Sequence, residues 1–130
     1  MLVTVLFCGA CSDRPIPPGT YSFASDELQE SLTLKSDGSL TQDIKIGHRS
    51  FHSVGTWDRD AGKKINLRSF LVRFDTATGN IIEPPEKYSL YHGYWEASRQ
   101  RIEFDEDGHY YVTYIPEATP QAHEPRAPRM

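Results

Sequence analysis

No proline falls between Gly19 and Glu83, although the 130-residue chain has nine. Proline lacks an N–H to give to a ladder and fixes φ, so it is kept out of sheet interiors. A proline-free run of this length is room for paired strands, and the proline clusters on either side mark its ends. Pro15, Pro17 and Pro18 place a tether over 12–18, Pro84-Pro85 a break, and the four prolines from Pro116 onward an extended tail over 116–130. That tail is rich in Pro and Ala and has no periodicity, so it reads as disordered.

Inside this frame the hydrophobic pattern has a period of two. Leu32 and Leu34 alternate with Ser31, Thr33 and Lys35. Leu40, Gln42, Ile44 and Ile46 alternate with Ser39, Thr41, Asp43 and Lys45. Ser36-Asp37-Gly38 between them is turn chemistry, so the two runs predict a hairpin with one buried face. A further strand runs from about Ser50 to Trp57, and Asp60-Ala61-Gly62 turns into another near Lys64. There the phase changes: Ile65 and Leu67 share one parity, while Phe70, Val72 and Phe74 share the other. A two-residue period cannot switch faces without an extra residue. The switch predicts a bulge or bend near Arg68-Ser69, or one strand ending there and another beginning.

Past Pro84-Pro85, strands are expected over Lys87–Trp95, Arg101–Phe104 and His109–Ile115, with a turn at Asp105–Gly108. Ser25–Glu30 is the sole helical candidate and is too short to hold a helix, so it reads as one loose turn. Gly55-Thr56-Trp57 and Gly93-Tyr94-Trp95 form a weak repeat, in which each glycine gives room for the ring or permits a bend. The fold class is all-β: an antiparallel meander of six to eight strands over 19–115, forming a small closed or half-open barrel.

Gly19-Thr20-Tyr21, Ser31-Leu32-Thr33-Leu34, Asp37-Gly38, Gly55-Thr56-Trp57 and Ile65-Asn66-Leu67 together resemble a pattern of small bacterial β-domains, secreted or lipid-anchored. The resemblance covers about residues 19–75. It implies a lipocalin-like barrel and carries no catalytic residue, because the matching positions are turn glycines, a barrel-end Trp and alternating apolars.

Residues 1–11, MLVTVLFCGAC, hold no charge, whereas all 14 basic and 18 acidic side chains come later. The stretch is shorter than the roughly 20 apolar residues that span a bilayer and reads as a secretory h-region. Phe7-Cys8-Gly9-Ala10-Cys11 resembles a bacterial lipobox: Gly9 and Ala10 match its small positions, while Cys8 stands where Leu is commonest. The expectation is a lipid anchor on Cys11, making the membrane a partner and placing the domain in the bacterial cell envelope, facing the periplasm. The alternative is a buried strand over Leu2–Phe7 in a cytoplasmic protein.

The formal net charge of -4 argues against nucleic acid, since phosphate binding wants a basic face. There is no Gly-rich phosphate loop, Cys/His metal spacing or nucleophile elbow, so no cofactor and no metal are expected. His48 and His52 are four apart and His52 is placed to approach His92 across a sheet, yet zinc needs three or four converging ligands. Glu103, Asp105, Glu106 and Asp107 lack the bidentate Glu of a calcium loop, because position twelve from Asp105 is Pro116; they read as a solvated turn.

The aromatics carry the functional expectation. Six of the seven tyrosines lie at Tyr88 or later, with Trp95 among them. On one strand, Tyr88 and Tyr94 would share a face and Tyr91 and Trp95 the other, and only one face can be core. The reading is a non-enzymatic envelope lipoprotein that binds a ligand or partner through Trp57, Tyr88, Tyr91, Tyr94, Trp95, Tyr110 and Tyr114. Arg73, Arg99 and Arg101 stand near to supply polar contacts. The alternatives are a purely structural or interaction domain with no small-molecule site and, less favoured, a hydrolase.

Overall fold

The computed structural model describes residues 16–60 and 62–116. The segment 1–11, with Cys11, and all of the tail beyond Pro116 lie outside the described residues. Among the described residues there are ten strands: β1 (Gly19–Ala24), β2 (Leu28–Leu34), β3 (Ser39–Ile46), β4 (Arg49–Arg59), β5 (Lys64–Arg68), β6 (Phe70–Asp75), β7 (Asn80–Tyr88), β8 (Tyr91–Glu96), β9 (Arg101–Glu103) and β10 (Tyr111–Ile115). Eight close into an antiparallel barrel in the order β1-β10-β9-β8-β5-β4-β3-β2, and β6 and β7 form a separate two-stranded sheet. The all-β meander read from the alternation is the fold observed.

The alternation decides which side chains point in. Leu28, Leu32 and Leu34 of β2, Leu40, Ile44 and Ile46 of β3, and Ile65 and Leu67 of β5 are all buried. Burying each such side chain contributes about 1.5–3 kcal/mol, and the single-face pattern pins the register, since a one-residue slip would turn every one of them outward. Ser25–Glu27 form the loose turn, closed by the Ser25 N–H to the Leu28 carbonyl at 2.8 Å, and Leu28 already opens β2. Gly38 adopts φ +94 in the β2–β3 turn, a backbone open to glycine. Trp57 holds that turn from inside, its backbone N–H reaching the Gly38 carbonyl at 2.9 Å and its indole N–H the Lys35 carbonyl at 2.8 Å.

The phase change at Arg68-Ser69 is a departure from the barrel. β5 ends at Arg68, Ser69 takes φ +61, and β6 begins at Phe70. β6 then runs inward, so that Phe70, Leu71, Val72 and Arg73 are all buried although they point to opposite sides. Phe70 and Val72 join the main core with Leu32, Trp57, Trp95 and Val112, while Leu71 packs with Leu28, Ile44 and Ile46. β6 therefore fills the barrel, and β7 covers it.

Three expectations are corrected. Pro84-Pro85 do not break the chain; they lie within β7, where the β6–β7 ladder is interrupted between Val72↔Glu86 and Phe74↔Ile81, so their missing N–H groups cost no ladder bond. Lys87–Trp95 is two strands, because the chain leaves the hairpin at Ser89-Leu90 to rejoin the barrel. Ile16, assigned to the tether, is buried in the main core; its carbonyl accepts from Arg59 at 2.7 Å, and that of Pro17 from the Tyr21 hydroxyl at 2.6 Å.

Candidate functional site

The aromatic residues singled out by sequence divide four ways. Trp57, Trp95 and Tyr110 are buried; Trp95 meets Tyr21 edge-on, and Tyr110 packs on Phe104 with ring centroids 4.6 Å apart. Tyr114 is half-buried against Tyr21, and Tyr94 stands alone on the outer wall, 50 % exposed. Tyr88 and Tyr91 are brought together, centroids 5.2 Å apart, where the hairpin returns to the barrel. The expected pairing of Tyr88 with Tyr94 on one face does not occur, because the strand between them is broken. The glycines of the Gly-x-Trp repeat do not make room for the rings: Gly55 faces the Arg68 carbonyl, and Gly93 faces Ile102 and Phe104.

The arginines have structural occupations. Arg99 and Arg101 pair with Glu103, and Arg101 lies 4.0 Å over the Tyr111 ring. Arg73 is buried, its Nε donating to Glu30 Oε1 at 2.5 Å and its guanidinium lying 4.4 Å from the centroids of both the Phe23 and Tyr110 rings. Glu30 also accepts from Gln42 Nε2 at 2.9 Å. Gln42 in turn bonds Leu71 twice, donating to its carbonyl and accepting from its N–H at 2.8 Å each, as a neighbouring strand would. The Ser53 hydroxyl donates to the Ser69 carbonyl at 2.7 Å. Inward-facing Gln42 thus satisfies backbone groups of β6 that no strand pairs, Ser53 holds the carbonyl just before β6, and Glu30 takes the Arg73 side chain. Burial, opposed by the Arg73 charge and the hydrogen bonds from Arg73 and Gln42, holds the Glu30 carboxyl above its ordinary range. Burial likewise pushes the Tyr110 hydroxyl well up, with the Glu30 charge adding to it.

Two surface features remain. A broad open concavity of about 500 Å³ lies on the outer wall of β1–β4, and His52 accepts or donates there with Asp43 at 2.7 Å. Both side chains are exposed, and His52 makes no hydrogen bond to a hydroxyl among the described residues. His92 sits across β5 from Asp58, opposite Asn66, and does not approach His52. No three of His, Cys, Asp and Glu converge on a point among the described residues. The acidic run is a turn, with Asp105 Oδ1 accepting the backbone N–H groups of His109 and Tyr110.

The second feature is a notch of about 180 Å³ between β6, β7 and β8, walled by Phe74, Ile82, Tyr88 and Tyr91 and bearing the carboxylates of Asp75 and Glu86. Next to it Leu90 is 46 % exposed. Sequence reasoning found Tyr88 and Tyr91 but missed Phe74, Asp75 and Glu86, which reach the notch only because β6 and β7 fold back as a hairpin. Compared with known proteins, the chain matches no protein-family model, no curated protein and no solved structure.

Proposed function

We propose that this chain is a non-enzymatic, lipocalin-like domain of the cell envelope, lipid-anchored through Cys11. In this reading it meets a partner with the aromatic surface beside its hairpin rather than holding a ligand in its lumen. The observation that carries the reading is the use made of β6. It occupies the space where a barrel of eight strands would otherwise hold a small ligand. Tyr88 and Leu90 are left exposed, with Tyr91 half-buried beside them against Phe70, and clustered tyrosine with apolar neighbours is the composition of a contact surface.

Affinity capture with the full chain tests it. Tyr88→Ser with Leu90→Ser should deplete a partner held by the wild type by tenfold or more, while thermal unfolding stays unchanged because both side chains are exposed. Capture indifferent to the two substitutions removes the aromatic surface from the reading. The anchor has its own test: labelled fatty acid should enter the wild-type protein in its host and fail to enter Cys11→Ser. A wild type that stays soluble and unlabelled overturns it.

A further inference from the structure

We infer that the notch between β6, β7 and β8 receives a basic side chain, lysine or arginine, of a partner polypeptide; this rests on the partner-binding reading above. The walls are Phe74, Tyr88 and Tyr91 with the aliphatic Val72 and Ile82, and Asp75, Thr76 and Glu86 bring the polar groups. Asp75 Oδ1 accepts the Ala77 N–H at 2.9 Å and Glu86 Oε1 the Tyr88 hydroxyl at 3.5 Å, which leaves the second oxygen of each carboxylate for a cation. No basic side chain lines it among the described residues. Aromatic faces and carboxylates together select a cation on an apolar stem: the rings attract the charge through their quadrupoles and cover the methylenes, and the carboxylates neutralise it.

Size decides between a free small molecule and a side chain. At about 180 Å³ the notch is smaller than the roughly 300–1,000 Å³ of small-molecule sites. It accommodates one long side chain whose parent is held elsewhere, and exposed Tyr88 and Leu90 beside it provide that further contact.

The inference is tested on the full chain by NMR titration with the N-acetyl N-methylamides of lysine, arginine and norleucine. Lysine or arginine amide should shift the Tyr88 and Tyr91 ring resonances saturably, and norleucine amide, equal in stem but uncharged, at least tenfold more weakly. Asp75→Asn with Glu86→Gln should abolish the difference while leaving the folded spectrum intact. Equal responses to lysine and norleucine, or none to either cation, overturn the inference. Capture lost with Tyr88→Ser and Leu90→Ser but kept with the carboxamide variants also overturns it, while leaving the partner-binding reading standing. Absence of any captured partner removes that reading, and the titration still decides what the notch selects.

Discussion

Arg73→Met is expected to destabilise the fold by about 3–5 kcal/mol, the usual cost of stranding one member of a buried ion pair. Glu30 and Arg73 are both almost wholly inside, and among the described residues Arg73 is the only group that brings a positive charge to the carboxylate. Without it Glu30 keeps one hydrogen bond, from Gln42, and must hold its charge in a desolvated core or take up a proton. The pH dependence distinguishes this from simple loss of packing. Burial already raises the folded-state value of Glu30 above the ordinary 4.5, and losing the lowering influence of Arg73 raises it further. Between the unfolded and folded values the folded state then binds more protons, so stability falls as pH rises. The stabilisation of the protonated carboxyl is complete below the unfolded value and is lost as pH passes the folded one. The wild type should show the same sign over a narrower pH window. Glu30→Leu together with Arg73→Met removes both charges and should regain most of the loss, which a double-mutant cycle in urea reads directly. A single-variant cost under about 1 kcal/mol, with no pH slope, would show that the pair does not hold β6 in the barrel.

The barrel wall was legible because alternation and a buried face are one signal: Leu32, Leu34, Leu40, Ile44 and Ile46 announce their side of the sheet before any pairing is known. The interior was half legible. Gln42 stands on the apolar parity of β3 and Glu30 on that of β2, and a polar residue in phase with a core face has to find a buried partner. Those partners are Leu71 and Arg73, about thirty and forty residues away in a strand whose phase had slipped, and nothing local to either end names the other. The phase slip itself was legible. That it sends the chain into the lumen was not, because a bulge and a departing strand have the same two-residue arithmetic. Which face each tyrosine takes was not legible for a related reason. Tyr88, Tyr91 and Tyr94 were placed on one strand, and the break at Ser89-Leu90 depends on β7 pairing with β6 rather than on its own sequence.

Gly55→Ala is expected to cost about 3 kcal/mol or more, at or beyond the upper end of overpacking by a single methyl. A Cβ at Gly55 would stand 1.9 Å from the Arg68 carbonyl oxygen and 3.0 Å from Ser69 Cβ. The obstacle is backbone, so no rotamer change relieves it. This backbone is also pinned from both sides. Arg68 pairs with Thr56 in the β4–β5 ladder, and the Ser69 carbonyl takes the Ser53 hydroxyl. β4 and the root of the hairpin must therefore separate, and the ladder or the seating of β6 gives way. Gly47→Ala is the control. Its φ of +61 carries the ordinary penalty of a left-handed backbone, about 1–2 kcal/mol, with nothing within 4 Å of the new methyl. If the conflict is relieved by expelling β6, the Gly55→Ala protein should keep its strand signal in far-ultraviolet circular dichroism. It should also bind an apolar dye that neither the wild type nor Gly47→Ala binds, because Phe70, Leu71 and Val72 leave a lumen lined by Leu32, Leu40 and Ile44. Loss of strand signal and dye binding together would place the failure in the barrel ladder instead. A Gly55→Ala protein as stable as Gly47→Ala would mean that the close approach of β4 to the hairpin root is not what turns the chain inward.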